Sequence, residues 1–286
     1  MLKIDFRIVA WRVLVGLLCI FWLITAISAQ KMKPEEILAK HVESIGTAEA
    51  IAAVKTRLFQ GKAQARLINS AVDPAAVGKG YIVSSGEKMV IQMNFEMATA
   101  LDYSREHIGF DGNKINAPFI TSSNRSALGS FVFSYKEIVK HGLLGGSLMS
   151  NWALLDAKNN GGKFEYHGKE KIGEVETHVL RCVPRGGSGL TIKLYFDAQN
   201  FQHLRTTYYQ ETSPPVTVSD EGRISSIRYK LIEDFTNYKQ ISGLNLPTSY
   251  KLNYTLESPA RLRQYEWKID LSRFEFNVEV KPELFQ

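Results

Sequence analysis

The stretch "LYFDAQNFQHLRTTYY", residues 194–209, sets two runs of aromatic and β-branched residues on either side of a polar corner at Asp197–Asn200. A second stretch, "EDFTNYKQISGLNLPTSY", residues 233–250, repeats the arrangement around Gly243-Leu244-Asn245. Runs of this kind, bounded by turn residues, read as strand, turn, strand. Asp197 then serves as a turn carboxylate that accepts from nearby backbone N–H groups, not as a catalytic acid.

The same grammar extends in both directions. "RLFQGKAQARLI", "GKGYIVSSGEKMVIQMNF" and "ALDYSREHIGFDGNKINA" read as strands bent or joined at Ser85-Gly86 and Asp111-Gly112. "KFEYHGKEKIGEVETHVLRCVP" turns at Gly173-Glu174, and "RGGSG" leads into "LTIKLYFD". Residues 212–223 form a loop rich in Pro, Ser, Asp and Gly, and "RLRQYEWKIDLSRFEFNVEV" continues the pattern. The total is about ten or eleven strands. No strict repeat marks a propeller or solenoid.

Two regions depart from this. "KPEEILAKHVESIG" predicts a helix. Pro34 and two acids suit its first turn, Ile37, Leu38, His41, Val42 and Ile45 share a face, and Gly46 ends it. Thr47 is placed to cap a second short helix through "AEAIAAVKT". Residues 121–160 carry Phe131, Val132, Tyr135, Ile138 and Val139 at helical spacing, then glycine breaks, then Leu148, Met149, Trp152 and Leu154. This insert predicts one or two short helices in an otherwise β chain.

The first 29 residues read as a secretory signal: Lys3, Arg7 and Arg12 precede the apolar run Val13–Ile27, and Ser28 and Ala29 are small. An uncleaved N-terminal membrane anchor is the alternative, although a run this short falls below the ~20 residues of a spanning helix. Leu18 before Cys19 does not suit lipidation. Cys182 is the one cysteine left after cleavage, so the exported domain, residues 30–286, relies on its core and not on disulfides. Loss of residues 1–29 lowers the formal charge from +6 to +4. The remaining basic residues are scattered, which argues against nucleic acid as a partner.

The helix pair, the "GFDGNK" hairpin, "YHGKEKIGEVETHVLRC", "LYFDAQNFQHLR", "EDFTNYKQISGLNLPTSY" and "FEFNVEVKPELF" occur in that order. The ordered set resembles the outer-membrane lipoprotein-sorting protein-like families, which share the fold of the periplasmic lipoprotein carriers LolA and LolB. The resemblance implies a mainly β fold with helices. In it a curved antiparallel sheet forms an incomplete barrel, and helices cover the concave side. It also implies a carrier in the periplasm of a Gram-negative envelope, with a lipid or lipoprotein acyl chain as partner and envelope membrane proteins as donor or acceptor.

No metal or cofactor chemistry is expected. The six histidines are dispersed, no GxSxG elbow occurs, and "GGSG" at 186–189 lacks the lysine and helix of a phosphate loop. His167 and His178 read as outward residues of a surface hairpin, and Cys182 as a small buried residue. What stands out is apolar excess. Phe131, Phe133, Leu144, Met149 and Trp152 exceed the needs of one helix face, and Met89, Met93 and Met97 share one side of a strand. These eight residues are either ordinary core or the lining of an acyl-chain cavity. The expected function is a non-catalytic lipid or lipoprotein carrier. The alternative is a protein-interaction platform of the cell envelope using the same fold.

Overall fold

The computed structural model describes residues 32–68, 75–97, 101, 103–157, 162–212, 226–259 and 261–286. The expected signal segment and most of the 212–223 loop lie outside them. Among the described residues no helix is long and apolar enough to cross a membrane.

Two helices come first, α1 (Pro34–Ile45) and α2 (Ala48–Ala53). Glu35 and Glu36 sit in the first turn of α1, and Ile37, Leu38, His41 and Ile45 are its buried face. Thr47 caps α2, its hydroxyl accepting from Ala50 N at 3.2 Å.

Twelve strands follow: β1 (Thr56–Ile68), β2 (Ala76–Ser85), β3 (Lys88–Met97), β4 (Arg105–Phe110), β5 (Ile115–Asn116), β6 (Lys163–Ile172), β7 (Val175–Val183), β8 (Thr191–Asp197), β9 (His203–Thr212), β10 (Ile227–Ile241), β11 (Leu244–Ser258) and β12 (Arg261–Phe276). All belong to one antiparallel sheet in the order β5-β4-β3-β2-β1-β12-β11-β10-β9-β8-β7-β6. It is not closed into a barrel, and β5 and β6 are its two edges. The brief β5 carries the strand count past the sequence reading, because two residues leave no alternation to detect. The predicted turns hold within a residue or two: Ser85 ends β2 and its corner is Gly86-Glu87, Asp197 ends β8, and the β10–β11 corner is Ser242-Gly243, with Leu244 already in β11. At the β8–β9 corner Asp197 Oδ1 accepts from the backbone of Gln199 and Asn200.

The chain order explains the architecture. β1 to β5 step outward from the centre in one direction, and β6 to β12 step back from the far edge until β12 pairs with β1. The connection from β5 to β6 therefore has to pass from one edge of the sheet to the other. That connection is the insert, with α3 (Ala127–Ser134), α4 (Glu137–Lys140) and two 3₁₀ turns, η1 (Gly146–Leu148) and η2 (Ala153–Asp156). It crosses one face of the sheet and covers it.

The sheet curls toward this covered face. Gly80 on β2 and Ile269 on β12 are separated by β1, a gap of about 9.5 Å in a flat sheet. Yet a Cβ on Gly80 would stand 2.7 Å from Ile269 Cγ2. Such an approach requires sharp curvature and very small side chains. Ala63, Ala65 and Ala76 meet the second need, and Ala65 lies in register between Trp267 and Ala76. Register shifts at Gln60/Gly61 and Val77/Gly78 supply the bends. On the opposite face the C-terminal turn η3 (Pro282–Phe285) packs Phe285 against Val83 and Val90.

Gly80→Ala is expected to destabilise the protein by about 1–3 kcal/mol through overpacking against Ile269. In the Ile269→Ala background the same change should cost clearly less, because the clash partner is gone. Urea unfolding of the two single variants and the double variant measures this coupling; strict additivity would show that the contact does not limit the curl.

Candidate functional site

Three sets of buried polar contacts pin the insert to the curled face. The first centres on Glu233 of β10, which has no solvent exposure. Its carboxyl accepts from Gly145 N at 2.7 Å, Tyr250 Oη at 2.5 Å and Tyr208 Oη at 2.6 Å. Burial pushes its pKa up to about 7. Gly145 (φ +84°) and Gly146 (φ +52°) let the chain lie this close, since a Cβ on Gly146 would meet Phe235 Cζ at 2.8 Å. Beside it, buried Arg57 of β1 donates from Nη1 to Ser147 O at 2.5 Å.

The second set centres on Glu106 of β4. It accepts from Ser126 Oγ at 2.5 Å and Tyr103 Oη at 2.8 Å, and burial raises its pKa to about 7. Ser126 in turn caps α3 by accepting from Gly129 N at 2.8 Å.

The third set ties α1 to the insert. Trp152 Nε1 donates to His41 Nε2 at 2.9 Å, so His41 carries its proton on Nδ1 and donates to Phe201 O at 3.0 Å. His203 stacks on Trp152 with ring centroids 5.0 Å apart. Burial pulls the His41 pKa down to about 4 and that of His203 well below the ordinary value. Both rings are neutral.

A continuous row of side chains runs across the covered face: Phe164, Cys182, Ile192, Tyr208, Leu231, Tyr254, Tyr265 and Leu67, one from each strand from β6 round to β1. The insert seals its middle, where Tyr208 Oη meets Leu143 O at 3.1 Å. At each end the row opens into a cleft. Beside β6 lies a cleft of about 660 Å³ between α1 and η2, with Leu38, Val42, Leu154, Leu155 and Phe164 as apolar walls and the exposed charged residues Glu35, Asp156, Lys163 and Glu165 also lining it. At the β1 end lies a second, of about 610 Å³, lined by Leu67, Tyr229, Tyr254, Tyr265 and residues 119–127 of the insert.

The eight residues singled out from sequence fall as follows. Met89 and Met93 on β3, and Phe131, Leu144, Met149 and Trp152 of the insert, are each 2% exposed or less and sit within the core. Phe133 is 49% exposed, on the outer side of α3. Met97 ends β3, and its side chain lies outside the described residues. The walls of the 660 Å³ cleft come instead from α1, η2 and β6. His178 departs from the expectation of an outward hairpin residue: it is 5% exposed, because Phe201 from the next hairpin stacks on it at 5.6 Å. Cys182 is buried, and burial pushes its thiol up to about 12. Among the described residues no group of three or more His, Cys, Asp or Glu is placed to hold a metal ion.

The polar residues that pin the insert were not singled out from sequence, although alternation carried a signal for two. Glu233 stands between Leu231 and Phe235 on the inward phase of β10, and Glu106 shares a phase with Ile108 and Phe110. An acid on an apolar phase marks a buried acid, but its partners come from other strands.

Neither a family model nor a curated protein matches the chain. Solved structures do resemble it. A LolA superfamily protein from Nitrosomonas europaea is 14% identical with a TM-score of 0.44, over 89% of this chain and 98% of that one. A DUF1329 family protein from Desulfovibrio piger is 12% identical with a TM-score of 0.48, over 89% and 98%. A domain from Vibrio parahaemolyticus assigned to outer membrane lipoprotein sorting is 14% identical with a TM-score of 0.45, over 87% and 97%. These are likenesses of overall fold.

The raised pKa of Glu233 has a consequence for stability. Between its ordinary value of 4.5 and about 7, the native state keeps a proton that the unfolded chain has released. Its contribution to stability is therefore largest below pH 4.5 and is lost as the pH rises through 7. Glu233→Gln abolishes this titration. The stability of the variant relative to the parent should improve between pH 5 and pH 8, by on the order of 1–3 kcal/mol. Denaturant unfolding of both proteins at the two pH values checks the sign; a parent that gains on the variant as the pH rises would contradict it.

Proposed function

We propose that the protein is an exported, non-catalytic carrier that holds the acyl chain of a lipid or lipoprotein in the apolar cleft between α1, η2 and β6. On this reading residues 1–29 direct export to the periplasm and residues 30–286 act there as one domain, exchanging cargo with envelope membrane proteins. The supporting observation is the cleft itself. Its volume of about 660 Å³ lies in the range of small-molecule sites, and its aliphatic and aromatic walls stand beside four charged residues that are all solvent-exposed. Burial of an acyl chain contributes about 0.8 kcal/mol per CH₂ before ordering costs, enough for a complex that also releases its cargo. The order of sequence motifs that resembles the lipoprotein-sorting families supports the same reading. Met89, Met93, Phe131, Leu144, Met149 and Trp152 then form the packed interior that a longer chain, reaching past the cleft, displaces. On this reading Met97 and Phe133 complete the acyl-chain lining proposed from the sequence.

The packed centre of the covered face favours a second reading, an envelope interaction platform. Its surface would be the free edge of β6, which is partly blunted by the register shift at Tyr166/Gly168 and by exposed Lys169 and Lys171. Protection of β6 from protease by envelope extract would favour it.

Native mass spectrometry of the protein purified from a periplasmic fraction, followed by organic extraction, tests the carrier. A near-stoichiometric lipid or acylated peptide is expected. Ala39 lines the cleft and is exposed, so Ala39→Trp fills the site at little cost to the core. This variant should lose most of the cargo while melting like the parent. A clean apo mass with no uptake of added phospholipid or lipopeptide would overturn the proposal.

A further inference from the structure

The second cleft differs in chemistry from the first. Among the described residues no Asp or Glu lines it, and two arginines do, Arg125 and Arg263. Arg125 is fixed in place. Its Cζ lies 4.1 Å from the Phe119 ring centroid and 3.9 Å from that of Phe133, and its Nε donates to Ala117 O at 2.6 Å. A guanidinium clamped between two rings and tied at Nε has its plane set in advance, with the terminal nitrogens left for a ligand. Arg263 stands exposed on β12. Among the described residues neither arginine has an ion-pair partner.

The remaining walls combine apolar surface with hydroxyls. Tyr229, Tyr254 and Tyr265 supply rings from three adjacent strands, and Thr121 and Ser123 supply hydroxyls from the insert. Glu106, bonded behind the lining residues Ser126 and Tyr103, is 2% exposed, its oxygens taken by these two hydroxyls. A cationic ligand needs acids, which the described lining does not supply. The cleft instead concentrates fixed positive charge beside aromatic and aliphatic surface.

We propose that this cleft binds a phosphate-bearing amphiphile, with Arg125 and Arg263 on the phosphate and the three tyrosines against the apolar body. Bidentate arginine is suited to a phosphate oxyanion, and rings that bury on one side and donate from their hydroxyls suit the junction of head and chain. This site stands apart from the apolar cleft beside β6 and does not depend on what that cleft holds.

Isothermal titration of the protein as purified from cells tests the site, with dodecyl phosphate below its micelle concentration, dodecyl maltoside and inorganic phosphate as probes. Dodecyl phosphate should bind, and each of Arg263→Ala and Arg125→Lys should weaken it by about tenfold or more, the scale of a lost charge-assisted hydrogen bond. Arg263 is exposed, so its variant tests binding without disturbing the core; Arg125→Lys keeps the charge and tests the clamped plane. Ala39→Trp should leave this binding unchanged. Equal binding of dodecyl maltoside, or loss in Ala39→Trp with full binding in Arg263→Ala, would assign the affinity to apolar surface elsewhere and overturn the proposal. Inorganic phosphate bound as tightly as dodecyl phosphate would support the anion contacts and overturn the amphipathic ligand.

Discussion

The last strand pairs with the first, from Arg57 opposite Phe276 to Ile68 opposite Gln264, and this closure decides where everything else goes. With β12 on β1, the two meanders grow outward in opposite directions and leave β5 and β6 at opposite edges. The segment between them has to traverse the sheet. Flat, twelve strands would span about 50 Å. The curl around Gly80, Ala63 and Ile269 turns the face inward and shortens the crossing. The same curl makes a hollow, and the insert that must cross the hollow also fills its middle.

A segment laid across an apolar surface could slide along it, since dispersion contacts are non-directional. The buried polar contacts remove that freedom. Glu233 receives a backbone N–H that only Gly145 presents, Glu106 holds the capping residue of α3, and His41 receives the indole N–H of Trp152. Each group carries a desolvation cost, visible in the raised carboxyl and lowered imidazole pKa values, and each would cost more if left unpaired.

What the insert leaves open is a pair of clefts at the two ends of one row of side chains. They differ because the row ends against different elements. At β6 it meets the apolar side of α1 and η2, so the cleft there is greasy with exposed charged residues beside its walls. At β1 it meets the loop before α3, where Arg125 is gripped by two phenylalanines, so the cleft there is cationic and aromatic.

The strands and turns were legible because they are local. Alternation at "LYFDAQNFQHLR" and "EDFTNYKQISGLNLPTSY", glycine at the corners and the stripe of Ile37, Leu38, His41 and Ile45 follow from backbone sterics and from the period of each element. The excess of apolar residues in the insert also marked it as something that packs on a face. Which residues end as core and which as walls was decided by the tertiary structure alone. Met93 and Trp152 could have lined a hollow; both are buried in the core, Met93 on the sheet and Trp152 in the β5–β6 connection that covers it. Leu38 and Val42, legible only as part of a helix face, and Phe164 line a cleft because α1, η2 and the edge strand meet there without closing. Arg125 became a clamped cation only when Phe119 and Phe133 came to lie on either side of it. Local sequence determined the period of each element; the meeting of distant elements, which depends on strand order and curl, determined what the surfaces between them can hold.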